Sequence, residues 1–333
     1  MKIAVYCTGG TKLGFGHFFR SKTFVKAAPS DVQVLLVPVA EAENQHIFAE
    51  VASKTAVCAD ESSALQTILA FKPDIAVMDT VFCSDEFFDV LSSQVPNTAS
   101  ISPVFNQMSK VRYLFTRNIN TLPIGDVTIY KGFEYAVFNE NCRSIPDEVF
   151  YHNLGREFLT VGISMGGGDA MNKTLQVLRS ISQLKIPCTF WVLLGEGYKH
   201  SYQELVLSIL GDSNHEIILA KTNRSMWNVF SNCSIAILAG GLTTLEATYA
   251  GLPTLNIFEK EDHVYATGKQ LFDWGVAEDI GIFNDASLER LRDRIHFFND
   301  NRSQLLQMRE RSKGKIDKLG ATRIHDILRK IVG

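Results

Sequence analysis

The run EFLTVGISMGGGDAMNKTLQVLRSI, residues 157–181, joins an apolar segment, three consecutive glycines and a segment whose apolar residues recur at helical spacing. The first part reads as a buried strand, the glycines as a turn, and the last part as an amphipathic helix. Strand, glycine turn and helix in that order open a Rossmann-like domain. The same unit stands at the head of the chain, where KIAVYC leads into GGTKLGFGHFFR, residues 9–20. Each copy begins a series of short apolar runs alternating with helix-like segments, the mark of a parallel sheet covered on both faces.

In the first series VQVLLVPV, PDIAVMD and TASISP read as strands, and HFFRSKTFVKAA, NQHIFAEVA and SALQTILAF as helices. In the second, CTFWVLLG, HEIILA, CSIAILAGG and GLPTLNIF are the strands, with SMWNVFSN and TTLEATYA as helices. The seam falls near the polar stretch NENCRSIPDEVFYHNLGRE. The reading is α/β, with an N-terminal Rossmann-like domain over 1–145 and a nucleotide-binding one over 146–333. The last helix is expected to pack back on the first domain. Ligands of such sheets bind beyond the strands' carboxyl ends, which predicts two domains facing a central cleft.

A chain of 333 residues exceeds the usual single-domain range, and 46% apolar residues suit a globular fold. A net charge of −3 gives no basic excess for nucleic acid. The six cysteines form no CxxC pair and no zinc spacing, so they read as small apolar residues in a reducing compartment. The apolar part of MKIAVYCTGG is too short for a signal peptide, and no apolar run reaches the roughly 20 residues needed to span a bilayer. A cytoplasmic protein is expected.

Three stretches carry chemistry. In SMGGGDAMNKT, Gly167 and Gly168 let the backbone approach an anion, with the helix N-terminus beyond them and Asp169 or Asn172 as its cap. In LAGGLTTLEATYAGLPTL, Gly240, Gly241, Leu242, Thr243 and Thr244 form a second glycine turn able to offer N–H and hydroxyl groups to a diphosphate. Glu246, one helical turn on, can accept hydrogen bonds from a ribose diol. In the opening stretch, Gly14 and Gly16 flank a turn that presents His17, whose ordinary pKa of about 6.5 suits a general base. Arg20 lies three residues on and shares its helical face. His263, after another strand end, is the second histidine candidate. The other histidines read as surface or locally bonded groups. Thr222 and Met226 are nominated for a base pocket, although Met226 and Trp227 suit a helix core equally well.

No standard nucleotide signature is complete. There is no GxxxxGKS/T, and GFGHFF has Phe19 where a dinucleotide fingerprint needs its third glycine. No DxD pair is present, so no metal and no cofactor are expected.

Taken in order, these motifs resemble the GT-B superfamily of nucleotide-sugar enzymes. They are most similar to the UDP-2,4-diacetamido-2,4,6-trideoxy-β-L-altropyranose hydrolases of pseudaminic acid biosynthesis and their spore-coat polysaccharide relatives. GFGHFFR is similar to that family's G-x-G-H-x-x-R, GFEYAVFNE to its G-x-x-Y-A-L-L, and SMGGGDAMN to its S-F-G-G-S-D-x-x-N. AGGLTTLEATYAGLP and KLGATRI have counterparts as well. The resemblance implies a GT-B fold, a UDP-sugar substrate, water activation by His17 with inversion, diphosphate at Gly241, Thr243 and Thr244, and ribose at Glu246. Asp79 keeps the aspartate of the family's D-x-Y strand end, but Val81 replaces its tyrosine. The family's Asn-Gln pair is replaced by EKEDH, residues 259–263. Both places imply a different sugar, or an acceptor hydroxyl in place of water. The second glycine turn also resembles that of the N-acetylglucosaminyltransferase completing lipid II, which makes glycosyl transfer the rival activity. A non-catalytic nucleotide-sugar-binding subunit ranks third.

Overall fold

A computed structural model describes residues 1–10, 14–212, 214–221 and 226–333. The chain forms two compact units, one of residues 1–140 with 317–333, the other of residues 141–316. Each is built on a six-stranded, all-parallel sheet.

The first sheet contains β1 (Lys2–Thr8), β2 (Gln33–Val39), β3 (Ile75–Asp79), β4 (Thr98–Ser100), β5 (Tyr113–Thr116) and β6 (Thr128–Lys131), in the order β2-β1-β3-β4-β5-β6. The chain leaves β1, adds β2 on one side and then crosses to add β3 on the other. The switch of direction therefore lies between β1 and β3, where an α/β sheet opens a crevice beyond its carboxyl ends. Register places Cys7 beside Asp79 at that edge. The central strand is apolar on both faces because helices cover both. Ile3, Val5 and Cys7 join a cluster with Phe18, Phe24, Ile324 and Leu328. Ala4 and Tyr6 point the other way, to Ala64, Ile68, Phe87 and Phe88. Burial of each large side chain here stabilises the fold by about 1.5–3 kcal/mol.

The final helix, Gly320–Val332, belongs to this unit. His325 stacks on Phe24 at 4.1 Å between ring centroids and bonds its carbonyl oxygen through Nε2 at 2.8 Å. Gly320 lies so close to Ala136 that a Cβ would sit 2.1 Å from the carbonyl oxygen. Arg323 donates to the Glu134 carbonyl at 3.1 Å. The segments GFEYAVFNE and KLGATRI thus meet: they are the seam that returns the last helix to the first sheet.

The second sheet contains β7 (Leu159–Ser164), β8 (Cys188–Leu194), β9 (Glu216–Lys221), β10 (Ile235–Leu238), β11 (Thr254–Phe258) and β12 (Ala277–Ile282), ordered β12-β11-β10-β7-β8-β9. Its switch of direction falls between β7 and β10, with Ser164 paired to Leu238. Both glycine turns of the second half leave the sheet at this point.

Three strands escape the hydrophobic pattern. β5 is four residues long, and β6 and β12 are edge strands whose half-exposed residues need no continuous apolar run. NQHIFAEVA, which reads as an α-helix, lies in a 3₁₀ segment, Ala42–Lys54, kinked at Val51. All six cysteines are buried free thiols. Among the described residues no helix is long and apolar enough to cross a membrane.

Candidate active site

At the switch point of the first sheet, the helix Gly16–Lys26 brings His17, Arg20 and Ser21 onto the Asp79 carboxylate. Asp79 is fully buried. Its Oδ1 lies 2.8 Å from His17 Nδ1, Arg20 Nε donates to both oxygens at 3.0 Å, and Ser21 Oγ donates to Oδ2 at 2.9 Å. Arg20 Nη2 also grips Oδ1 and lies 2.8 Å from His17 Nδ1. An ionised carboxylate can only accept, which assigns the proton of the neutral imidazole to Nδ1 and directs the guanidinium protons to the carboxylate. Nε2 is left with the lone pair and has no hydrogen-bond partner among the described residues.

The electrostatics agree. Burial works to raise the Asp79 carboxyl, but the Arg20 guanidinium and the His17 hydrogen bond outweigh it and hold it below the usual carboxylate range. Burial lowers the His17 pKa; Asp79 opposes this, while Arg20 and Arg117 add to it. His17 is therefore neutral at neutral pH, with a side chain 12% exposed. Asp79 and Arg20, expected among the substrate contacts, bond one another and His17. They position the histidine from behind. Gly16 begins the helix and Gly14 accepts a bond from the Gly10 N–H at 3.2 Å.

In the second unit the turn after β7 ends in one of the two expected side-chain caps. Asp169 accepts from the N–H groups of Lys173 and Thr174, both at 2.8 Å, and so caps the helix Lys173–Ile181. Burial raises its pKa against those two bonds. Asn172 accepts instead from the Tyr198 hydroxyl at 2.7 Å. Two of the helix's free donors are thus taken by the protein itself. Gly167 gives its carbonyl to the Gly197 N–H at 3.0 Å, and Gly168 follows it in the same turn.

The turn after β10 is built differently. Gly240 and Gly241 have φ of 83° and 74°, a region that favours glycine, and the helix Leu242–Ala250 that follows has no side-chain cap. Its first N–H groups, from Leu242, Thr243 and Thr244, remain at an open helix N-terminus. Thr243 is half-buried. The Thr244 hydroxyl, expected to serve a diphosphate, is fully buried and donates to Asn256 Oδ1 on β11 at 2.6 Å. Only its N–H can face a ligand. The Gly241 N–H donates to Thr267 Oγ1 at 2.7 Å, and that hydroxyl donates to the His263 carbonyl at 2.9 Å. Glu246 is buried, 4% exposed. His263 is half-buried on the helix Glu261–Thr267, its pKa lowered chiefly by burial.

Several residues at these edges go unread in the sequence: Ser21, Arg117, Lys173, Asn256 and Thr267. Arg117 follows β5 and is 6% exposed. Lys173 and Glu259 form an ion pair at 3.6 Å. Thr222 lies outside the described residues, and Met226 precedes a short helix, Trp227–Phe230.

No family model matches the chain. Over 280 residues it is 20% identical to uncharacterized protein MJ1062 of Methanocaldococcus jannaschii, covering 78% of this chain and 56% of that one. Over 158 residues it is 24% identical to the spore coat polysaccharide biosynthesis protein SpsG of Bacillus subtilis, covering 47% and 45%. The chain spans about half the length of these curated relatives. Among solved structures, Acinetobacter baumannii MurG is similar over 99% of this chain and all of its own, at 16% identity and a TM-score of 0.68. Staphylococcus aureus MnaA, solved with UDP, matches over 99% and 96%, at 11% identity and a TM-score of 0.68. Anabaena HepE, also solved with UDP, matches over 99% and 100%, at 10% identity and a TM-score of 0.65. At such identities the likeness establishes the fold: GT-B, with two parallel-sheet α/β domains.

Proposed function

We propose that the chain is a nucleotide-sugar hydrolase that cleaves the anomeric C–O bond of a UDP-sugar. His17 Nε2 takes a proton from water as its oxygen bonds to the anomeric carbon. The bond to the diphosphate oxygen breaks, its electron pair leaves with UDP, and the sugar is released inverted. The second unit contributes the diphosphate site at Gly240, Gly241, Leu242, Thr243 and Thr244, where open N–H groups and the helix dipole take up the departing charge. Glu246 receives the ribose. The observation that carries this reading is the Asp79–His17 hydrogen bond, which leaves Nε2 unprotonated and partnerless among the described residues. The UDP complexes of MnaA and HepE and the likeness to SpsG support the substrate class.

Glycosyl transfer is the second reading. Val81 and Glu259–His263 depart from the hydrolase pattern, and MurG shares the fold over its whole length. His17 would then deprotonate an acceptor hydroxyl. Incubation with UDP-sugars and no acceptor separates the two. Release of UDP with free sugar, lost in His17→Ala, supports hydrolysis; UDP release only when an acceptor is added supports transfer.

A further inference from the structure

Lys173 occupies an unusual place. It is the first residue of the helix Lys173–Ile181, where the positive end of the helix dipole disfavours a cation. It is nonetheless 4% exposed, and lysine is almost never that buried without a partner. Its one ion pair among the described residues is with Glu259, Nζ to Oε2 at 3.6 Å, too long for a hydrogen bond. No hydrogen bond to Nζ occurs among the described residues, so three ammonium donors are unspent.

Topology says where this cation stands. Lys173 follows the turn after β7, and Glu259 follows β11 directly. In the sheet β10 lies between those two strands, and all three run parallel. The ion pair therefore passes over the carboxyl end of β10, where Gly240 and Gly241 lead into the uncapped helix Leu242–Ala250. A cation and a carboxylate flank the mouth of the glycine turn.

We propose that Lys173 is the cationic ligand of a nucleoside diphosphate at this turn and that Glu259 holds its place when the site is empty. Binding exchanges a long pair to a part-exposed carboxylate for short, charge-assisted bonds to phosphate oxygens. Glu259 is thereby a competitor: its charge both occupies the lysine and repels the diphosphate. The inference rests on the assignment of the diphosphate to Gly240–Thr244.

The test is calorimetric titration of the full chain with UDP, and with uridine by competition. Lys173→Met keeps the stem and removes the charge, leaving only an exposed carboxylate behind. It is expected to weaken UDP by about tenfold or more while leaving uridine unchanged. Glu259→Gln is expected to tighten UDP several-fold, a gain that shrinks in the Lys173→Met background. Equal UDP affinity in Lys173→Met and wild type, or weaker binding in Glu259→Gln, overturns the proposal. If wild type binds UDP no tighter than uridine, the diphosphate site itself is wrong and the proposal falls with it. A strong preference for UDP that neither variant alters defeats the lysine's role alone.

Discussion

His17 Nδ1 lies 2.8 Å from Asp79 Oδ1, and the same carboxylate takes two bonds from Arg20 Nε. One buried acid thus fixes the tautomer of the histidine and neutralises the arginine beside it. The two tasks separate on substitution.

Asp79→Asn keeps the shape but offers Nδ1 an amide donor as readily as an acceptor, so the proton can move to Nε2 and the base is lost. His17→Ala and Asp79→Asn are both expected to lower kcat, the former by about 10²–10⁴-fold. Only Asp79→Asn also strands the buried Arg20 charge, at a cost of about 3–5 kcal/mol. Urea denaturation should show a large drop in midpoint for Asp79→Asn and a small one for His17→Ala. Equal midpoints would mean that Arg20 does not depend on Asp79.

The pH dependence follows from the same group. Burial lowers the folded-state pKa of His17, so the base stays unprotonated to below its ordinary value of about 6.5. The acid limb of kcat/KM should lie below pH 6.5. Stability follows the same sign: below about pH 6.5 the unfolded chain takes up a proton that folded His17 refuses, so stability falls with pH until the lowered pKa is reached. Asp79, depressed in the folded state, adds a loss further into acid. The slope of urea midpoint against pH below 6.5 should flatten in His17→Gln. An unchanged slope would show that His17 is protonated in the fold.

Much of this arrangement was legible in the sequence. Two strand–glycine–helix units gave two parallel sheets, and the glycine turns fell at strand ends. The roles within the site were harder to read. Spacing places His17 and Arg20 on one helical face, but it cannot say that both meet a carboxylate on β3; that depends on the register pairing Cys7 with Asp79. The side on which the Thr244 hydroxyl falls depends on Asn256, on another strand. The sequence leaves the cap of the helix Lys173–Ile181 open between Asp169 and Asn172, and it is Asp169 that reaches ahead to Lys173 and Thr174. A lone lysine after Asn172 gives no pattern signal at all.

The glycines of the β10 turn are separable by substitution. At Gly240 a Cβ would lie 2.3 Å from Phe258 Cε1, and the φ of 83° is strained for any other residue. At Gly241 the φ is 74° but the space is open. Gly241→Ala should cost the backbone strain alone, about 1–3 kcal/mol, because a φ of 74° with a ψ of −144° is a combination that suits glycine. Gly240→Ala adds overpacking of about 1–3 kcal/mol. A lower urea midpoint for Gly240→Ala than for Gly241→Ala is expected; the reverse order would show that Phe258 yields freely.

Thr267 ties this turn to the helix beyond β11. Its buried hydroxyl accepts from Gly241 N–H and donates to the His263 carbonyl, so it removes one N–H from the cradle and fixes the direction of the rest. Thr267→Val keeps the volume and leaves the half-buried Gly241 N–H without its partner, at about 1–3 kcal/mol for a bond left unmade. Thr267→Ser restores both bonds. UDP affinity should fall in the valine variant and recover in the serine variant, because the donors of Leu242 and Thr243 then regain their aim. If the valine variant loses stability but binds UDP as wild type does, the hydroxyl holds the fold together without setting the cradle.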